Sequence, residues 1–386
     1  METITRLLDI DLPPGQSAFL WGARKTGKTT YLKSRFPDSV VYDFLKTDLL
    51  LDLTRNPSLL REQLLAGNPD DLRSPVILDE VQKVPQVLDE VHWLIENSEL
   101  RFVLCGSSAR KLKRGAANLL GGRAWRFHMH PLTSREIANL DLLKALNNGL
   151  IPNHYLQAHG HRSLKAYVTD YLKEEVFDEG LTRNAPAFSR FFEAMGFSHG
   201  QLINYSNIAR DCGVDAKTVR EYYQILVDTL LGTMLLPFKK RQSRQVIGKA
   251  PKFYLFDVGV AGHLAGRRIP EAKGEYFGRA LEHFLLMEIL AHRSYAELDH
   301  PVEFWRTKSG LEVDFVLAGG EVAIEVKGSS RIDARDFRPL RAFIDEYKPR
   351  QALLVCNERE RRQVDGILVL PWREFLQSLW TGEIVE

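Results

Sequence analysis

Gly22-Ala23-Arg24-Lys25-Thr26-Gly27-Lys28-Thr29 is the most informative motif in this 386-residue sequence. It fits the pattern G-x-x-x-x-G-K-[ST], in which backbone amides surround phosphate oxygens. Apolar residues 18–21 precede it as a predicted strand, and residues 30–35 follow it as a predicted helix. Because a strand, a glycine-bearing loop and a helix in this order are the context that the pattern requires, the stretch predicts a phosphate-binding loop.

The side chains of this loop have separate predicted roles. The Lys28 ammonium would reach the β- and γ-phosphates of a nucleotide, and the Thr29 hydroxyl would hold Mg²⁺. Glycine lets the backbone curl closely around the phosphate oxygens. The residues predicted to contact nucleotide are Gly22, Ala23, Arg24, Lys25, Thr26, Gly27, Lys28, Thr29 and Thr30.

A second apolar run, residues 76–80, ends in two acids. We expect Asp79 to support Mg²⁺ through water and Glu80 to polarise the attacking water. An apolar strand that ends in Asp-Glu is often only a strand end, but its place after a phosphate-binding loop favours the catalytic interpretation. A third run leads to Ser107 and Ser108, either of which could sense the γ-phosphate or orient water.

Apolar runs alternate with helical patterns in the N-terminal part of the chain. The runs at 17–21, 76–78 and 102–104 predict buried strands, and helical patterns lie between them. This alternation is typical of an α/β fold with a parallel sheet. A cluster of Asn, Gly and Pro then interrupts the pattern, so we expect a first domain over residues 1–150.

Composition and charge exclude several classes of protein. Hydrophobic residues make up 44% and charged residues 26% of the chain, which is typical of a globular protein rather than a fibrous one. The net charge of +2 leaves the placement of charge to indicate any polyanionic partner. Three distant cysteines without a CxxC pair argue against disulfide scaffolds and zinc clusters. With no signal peptide or membrane-spanning run evident, we expect a cytoplasmic protein without a membrane partner.

The central part, expected over residues 151–265, contains a candidate helix-turn-helix. Its two helical patterns are residues 202–211 and 216–231, inside a region to about 238 that is helical throughout by pattern. A short strand at 253–256 could return as a wing. The second helix would present to DNA Lys217, Thr218, Arg220 and Tyr223.

Two segments are basic and contain no acid. Residues 239–252 hold six Lys or Arg, and residues 100–135 hold eight. Basic segments beside a recognition helix would contact phosphates first and bases second. The alternatives are a solvated face for residues 100–135, and for the central part a small helical domain that packs between two larger ones.

In the C-terminal part, expected over residues 266–386, Asp314 precedes Glu325-Val326-Lys327 in the arrangement D…(D/E)-x-K. Asp314 and Glu325 can meet from adjacent strands of a hairpin, while Glu325 and Lys327 share one strand face. The carboxylates would bind Mg²⁺ or Mn²⁺, and the lysine would orient water or stabilise developing phosphorane charge. Glu282, on a predicted helix upstream, is a candidate further metal ligand.

These motifs resemble known families. The loop, the string Leu78-Asp79-Glu80-Val81-Gln82 and the string Gly106-Ser107-Ser108 resemble the AAA-superfamily ATPases. The order of elements over nearly the whole chain is similar to that of bacterial and archaeal AAA ATPases with a C-terminal domain of unknown function, and this C-terminal part resembles PD-(D/E)xK nucleases. The resemblance implies ATP binding, and it matches Arg123 to an arginine that acts in trans at a subunit boundary.

The patterns together predict an α/β protein with a P-loop AAA-type parallel-sheet domain, a central winged-helix-like helical domain and a C-terminal restriction-endonuclease-like α+β domain. We expect a Mg²⁺-dependent ATPase that binds DNA and couples hydrolysis to DNA remodelling or to metal-dependent cleavage. Such coupling favours a homo-oligomer, for example a ring. The alternative is a nucleotide-dependent switch or protein-interaction scaffold whose nuclease fold is inactive.

Overall fold

The computed structural model describes residues 4–108, 120–171, 185–239 and 250–385. These residues form two compact units. The first holds the chain up to Pro131 together with Asp228–Leu231, and the second holds Leu132–Val227 and the chain from Gly232 onward. The expected boundaries near residues 150 and 265 therefore stay predictions, because the central and C-terminal segments lie within one compact unit.

The first unit is built on a five-stranded parallel sheet with the strand order β2-β3-β4-β1-β5. Its strands are β1 (Ser17–Trp21), β2 (Val41–Asp43), β3 (Val76–Asp79), β4 (Phe102–Gly106) and β5 (Ala124–His128). Its helices are α1 (Lys28–Arg35), α2 (Thr47–Arg55), α3 (Ser58–Ala66) and α4 (Val87–Asn97). The α/β fold with a parallel sheet, predicted from alternating patterns, is confirmed.

Continuous apolar sequence explains the three central strands. Every residue of β1, β3 and β4 is buried, as expected for parallel strands covered on both faces. Helix α4 buries Val87, Val91 and Leu94, whose spacing places them on one side of the helix. Because parallel strands end at the same edge of a sheet, the residues after β1, β3 and β4 meet there.

The second unit combines helices with an eight-stranded mixed sheet in the order β12-β13-β11-β10-β9-β8-β6-β7. Its strands are β6 (Gly232–Pro237), β7 (Lys252–Leu255), β8 (Val302–Arg306), β9 (Glu312–Leu317), β10 (Val322–Val326), β11 (Gln351–Cys356), β12 (Arg362–Val364) and β13 (Ile367–Pro371). Its shorter helices are α5 (Leu142–Asn148), α6 (Pro152–Leu156), α7 (Gly160–Ala166), α8 (Ala185–Ser198), α9 (Tyr205–Cys212), α10 (Ala216–Asp228) and α11 (Val258–Leu264). The remaining helices are α12 (Glu275–Tyr295), α13 (Arg338–Tyr347) and α14 (Trp372–Trp380).

The C-terminal part of this unit has a simple connectivity. Helix α12 precedes the antiparallel strands β8, β9 and β10, and α13 then leads to β11, which pairs with β10 in parallel. Helix α13 buries Leu340 and Phe343 in a core shared with Val313, Val316 and Leu354. No helix within the described ranges is long and apolar enough to cross a membrane.

The expectation that the chain is helical as far as residue 238 is wrong. After α10, Leu230 takes a left-handed conformation with φ 59°, and β6 begins at Gly232. A left-handed, non-glycine residue breaks the helical hydrogen-bond series, and apolar residues of the following segment gain strand partners instead. Strand β6 pairs with β7 and also with β8, so these strands extend the large sheet and do not form a free wing.

Candidate functional site

The loop between β1 and α1 is shaped by backbone conformations that suit phosphate binding. Lys25 and Gly27 have φ values of 64° and 99°. The Thr26 hydroxyl donates to the carbonyl of Ala23 at 2.8 Å. At Gly22 an added Cβ would lie 2.5 Å from the carbonyl oxygen of Met129, so only glycine fits there. The loop is therefore a tight turn that ends at the start of α1, where backbone amides are free of intrahelical acceptors.

Lys28 lies inside this loop. Its side chain is buried, and its ammonium donates to the carbonyl oxygens of Gly22 at 2.7 Å and Ala23 at 3.1 Å. A buried ammonium that donates to neutral carbonyls is suited to an anionic ligand. Among the other predicted contacts of this loop, Thr26 is buried, whereas Lys25, Thr29 and Thr30 are exposed.

The two predicted Mg²⁺ ligands of the first unit are in direct contact. The Thr29 hydroxyl donates to Asp79 Oδ2 at 2.6 Å, and Asp79 Oδ1 accepts from the backbone amide of Glu80 at 3.0 Å. Hydroxyl and carboxylate oxygens are the ligands that Mg²⁺ prefers. The loop and the end of β3 therefore present a set of donors that fits this ion.

Glu80 is held by Gln82, which in turn contacts the end of the neighbouring strand β4. It has a left-handed backbone with φ 59°, and its Oε2 accepts from Nε2 of Gln82. Gln82 Nε2 also donates to the Ser107 hydroxyl at 3.1 Å, and Arg24 Nε donates to the same hydroxyl at 3.3 Å. Both Ser107 and Ser108 are buried. Gln82 was missed as a functional residue, although it belongs to the string that carries the family resemblance.

Arg123 lies between β4 and β5 in the chain and makes an ion pair with Glu96 of α4. The side chains of both residues are partly exposed, at 39% and 44%. Its predicted role in trans therefore stays a prediction. Of the basic segment at residues 100–135, Arg110, Lys111, Lys113 and Arg114 lie outside the described residues.

The second unit brings the D…(D/E)-x-K residues together. Strands β9 and β10 pair Phe315 with Ile324, and the next step of this register sets Asp314 opposite Glu325. Asp314 Oδ2 accepts from the backbone amide of Val326 at 2.8 Å, and Lys327 Nζ donates to Glu325 Oε1 at 2.6 Å. The predicted meeting of two carboxylates across a hairpin is therefore present.

These carboxyls are buried and electrostatically coupled. Burial, with the charges of Glu325 and Glu282 added, raises the pKa of Asp314 well above its usual range. Burial also raises the pKa of Glu325 to about 7, although Lys327 acts in the opposite direction. Among the residues that the structure describes, Glu325 Oε2 is buried and has no hydrogen-bond partner. Such an arrangement is unfavourable until a cation or proton neutralises it.

Glu282 of α12 joins this group through residues that the sequence analysis did not assign to it. Its Oε1 accepts from the Tyr254 hydroxyl at 2.5 Å and lies 3.6 Å from Lys252 Nζ. Lys252 also contacts Glu312 at 2.5 Å. Burial opposes the charged form of Lys252, but Glu282, Asp314 and Glu312 outweigh it and raise its pKa.

The position of Lys252 corrects one prediction. This residue was assigned to a basic wing, but its side chain is only 4% exposed and points into the carboxylate group. Residues 240–249 of the same segment lie outside the described residues. The signal that was available in sequence is the adjoining apolar run at residues 253–256, since every residue of β7 is buried.

The carboxylate group of the second unit fits a divalent ion only in part. Its oxygen donors are those that Mg²⁺ uses, and the orphaned Glu325 Oε2 offers one. However, Lys327 and Lys252 already contact Glu325, Glu282 and Glu312. Within residues 4–108, 120–171, 185–239 and 250–385, no group of three His, Cys, Asp or Glu side chains is arranged to hold a metal.

The helix-turn-helix candidate has the expected order of elements. Helix α9 is followed by its C-cap Gly213, which is left-handed with φ 69°. Helix α10 starts after Asp215, whose side chain accepts a hydrogen bond from the Thr218 amide at 2.7 Å. Lys217 and Arg220 are exposed on α10. Tyr223 is buried against Phe191 of α8, with ring centroids 4.9 Å apart, so its predicted DNA contact is wrong.

Three family models match successive parts of the chain. Residues 15–138 match an AAA domain, residues 139–271 a domain of unknown function (DUF8612), and residues 277–375 another domain of unknown function (DUF4143). The match to the AAA domain thus lies largely within the first unit. The matches of the second unit carry no activity with them.

Two relatives that match much of the chain are described only as uncharacterized proteins. A protein of Mycobacterium tuberculosis is 26% identical over 383 residues, which is 95% of this chain and 82% of that protein. A protein of Haemophilus influenzae is 23% identical over 322 residues, which is 76% of this chain and 75% of that protein.

Solved structures give only distant likenesses. The Aeropyrum pernix ORC1 protein in complex with DNA is 13% identical and has a TM-score of 0.30, covering 65% of this chain and 86% of its own. The ORC2 protein of the same organism, in its ADP form, is 12% identical and has a TM-score of 0.31, covering 66% of this chain and 89% of its own. At these scores the likenesses carry no argument about function.

Proposed function

We propose that this protein is a Mg²⁺-dependent ATPase whose site is the loop of residues 22–29 together with the ends of β3 and β4. The observation that carries the proposal is the contact between Thr29 and Asp79, with Lys28 buried in the adjacent loop. Thr29 and Asp79 would hold the ion, which when bound neutralises charge on the phosphates.

The chain's own residues would then divide the work of hydrolysis. Lys28 would exchange its two carbonyl acceptors for β- and γ-phosphate oxygens. Glu80 would accept a proton from the attacking water, because it directly follows Asp79 at the end of β3. Ser107 and Ser108 would lie near the γ-phosphate at the end of β4.

DNA is the proposed partner, and its remodelling would be coupled to ATP hydrolysis. Support comes from the helix-turn-helix of α9 and α10, which exposes Lys217 and Arg220 on its second helix. Such side chains bind phosphates without reading sequence. The alternative, a helical module that only packs within its unit, is favoured by the burial of Tyr223 and by the position of the Arg220 guanidinium 4.8 Å from the ring centroid of Tyr205.

Stimulation of hydrolysis by DNA tests the proposal directly. Purified full-length protein would be assayed for phosphate release from ATP with Mg²⁺, with and without duplex, forked and single-stranded DNA. We expect basal hydrolysis that rises with at least one DNA. Hydrolysis that ignores every DNA favours the switch or scaffold, and absence of hydrolysis with Mg²⁺ contradicts the ATPase itself.

Metal-dependent cleavage of DNA is a second candidate function. The orphaned Oε2 of Glu325, opposite the buried Asp314 on the neighbouring strand, favours it, since two close carboxylates are destabilising without a cation. Asp314, Glu325 and Glu282 would hold Mg²⁺ or Mn²⁺, which would activate water when bound, and Lys327 would stabilise charge on the scissile phosphate. The helix α12, three antiparallel strands, α13 and a parallel strand β11 are compatible with a nuclease-like domain.

The rival is an inert cluster neutralised by Lys252 and Lys327. Calorimetric titration with Mn²⁺ separates the two, because an ion must displace or reorient both lysines to reach the carboxylates. Heat of binding that disappears in Asp314→Asn supports the metal site. Its absence leaves the cluster as a structural one.

A cytoplasmic homo-oligomer, for example a ring, is the proposed assembly. Arg123 is partly exposed and forms an ion pair with Glu96. In a ring, Arg123 would leave Glu96 and contact the nucleotide of the neighbouring subunit, and so would act in trans. Light scattering with and without ATP and Mg²⁺ tests this, and a monomer under both conditions contradicts it.

A further inference from the structure

We infer that Gln82 is the positioning residue of Glu80: it fixes the orientation of the carboxylate that activates water. This inference rests on the proposed ATPase function and adds to it a residue to which no role has been assigned. Gln82 is 3% exposed and donates through Nε2 to both Glu80 Oε2 and the Ser107 hydroxyl. One amide thus ties the acid at the end of β3 to the end of β4.

The orientation of the Gln82 amide follows from its partners. With the amide reversed, Oε1 would face the carboxylate of Glu80, and two acceptors would repel. The nitrogen therefore faces Glu80, and Oε1 is buried with no hydrogen-bond partner among the described residues. A buried oxygen that gives up water without gaining another donor is destabilising, so a glutamine here is a poor choice for stability alone.

The surrounding backbone is shaped around this contact. Glu80 has a left-handed backbone, a conformation that is strained for a non-glycine residue. Gly106 leaves room for the amide, since an added Cβ there would lie 2.6 Å from Gln82 Oε1. The left-handed backbone sets the direction of the Glu80 side chain. The missing Cβ at Gly106 leaves the volume that the Gln82 amide occupies.

A fixed carboxylate matters because water must be deprotonated at one place. A misplacement of about 1 Å can reduce a rate on the order of 100-fold, whereas nucleotide binding by Lys28 and the loop is unaffected by the angle of Glu80. Loss of Gln82 should therefore lower kcat and leave nucleotide affinity unchanged. Because the Ser107 hydroxyl accepts from the same Nε2 that donates to Glu80, loss of this hydroxyl should act through the same amide.

The experiment compares four full-length variants with the wild type: Gln82→Met, Ser107→Ala, the double variant, and Gln86→Met as a matched control. Gln86 is exposed in the same loop, and its side chain does not cap α4. For each protein, kcat and KM for ATP, the affinity for a fluorescent ATP analogue and the thermal unfolding midpoint would be measured.

We expect Gln82→Met to lower kcat by at least about tenfold with nucleotide affinity unchanged. The effects of Gln82→Met and Ser107→Ala on kcat should be less than additive, and Gln86→Met should match the wild type. An unchanged or increased kcat in Gln82→Met overturns the inference, as does a loss explained by weaker nucleotide binding or unfolding. A wild type that does not hydrolyse ATP overturns the ATPase proposal and this inference together.

Discussion

Thr29 and Asp79 are 50 positions apart in the chain, yet the hydroxyl of one donates to the carboxylate of the other at 2.6 Å. The contact joins the residue after the loop lysine to the end of β3. It exists because β1 and β3 are parallel strands of one sheet, whose carboxyl ends meet at the same edge. The residues that surround this contact are the first to test by mutation.

Lys28→Ala should abolish nucleotide binding, whereas Glu80→Gln should preserve binding and reduce hydrolysis by about 100-fold or more. The lysine contacts phosphates in the ground state, but the acid acts only on the attacking water. Fluorescent-nucleotide binding and phosphate release measure the two effects separately. Lys33→Ala, exposed on the same helix, is the control. Wild-type turnover in Glu80→Gln would remove Glu80 from the mechanism.

Lys217→Glu should weaken binding of all DNA sequences alike and reduce the slope of log affinity against log salt by about 1. Lys217 is exposed on α10, and a phosphate contact carries no sequence information. Fluorescence anisotropy at several salt concentrations provides the measurement. Binding that does not depend on salt, or that is unchanged in Lys217→Glu, argues against this helix as the DNA-binding surface.

Asp314→Asn and Lys327→Ala should each abolish Mn²⁺- or Mg²⁺-dependent cleavage of DNA, while Lys28→Ala should retain it unless ATP gates access. The first two changes alter the carboxylate pair and its cation, and the third affects only the nucleotide site. Assays on single-stranded, duplex, forked and four-way DNA give the readout. If the wild type cleaves none of these with either ion, the cluster is structural.

Gly149→Ala should destabilise the second unit by about 3 kcal/mol or more. Gly149 has φ 80°, and an added Cβ would lie 1.9 Å from Asp257 Oδ1, which caps α11. Gly366→Ala is the matched control, because its φ is also 80° but nothing lies within 4 Å of the added atom. It should cost only about 1–2 kcal/mol. Urea unfolding that gives equal losses would mean that Asp257 moves freely.

The buried carboxyl of Glu288 should make stability fall as pH rises. Burial raises its pKa to about 7, although Ser134 and Trp380 donate hydrogen bonds to it and oppose this effect. In the unfolded chain a glutamate loses its proton near pH 4.5, so between about 4.5 and 7 the folded chain binds the extra proton. The free energy of unfolding therefore decreases over this range.

Glu288→Gln tests this assignment because an amide does not ionise. The wild type should lose about 1–3 kcal/mol more than Glu288→Gln between pH 5 and pH 8, at roughly 1.4 kcal/mol per pKa unit. Urea unfolding at the two pH values gives the difference, and any constant offset from altered hydrogen bonds cancels. Equal losses in the two proteins would show that Glu288 does not titrate in this range.

The phosphate-binding loop and several strands of this protein could be predicted from local sequence patterns. Loop residues 22–29, the strand before Asp79, and the strands that carry Asp314 and Glu325 were predictable, because glycine spacing and continuous apolar runs act over a few residues. The parallel sheet of the first unit followed from the same alternation. Even the meeting of Asp314 and Glu325 could be anticipated, since a hairpin brings neighbouring strands together.

Contacts between residues that are far apart in the sequence became evident only from the folded structure. In the sequence, Lys252 belongs to a basic segment. In the structure, β7 pairs with β6 in the large sheet, and Lys252 is buried beside Glu282 and Glu312. Gln82 became a partner of Glu80 and Ser107 because β3 and β4 lie side by side. Tyr223 was removed from the recognition surface by its packing against α8. Strand pairing and helix packing depend on which residues become buried when the whole chain folds. No local pattern of residues specifies this.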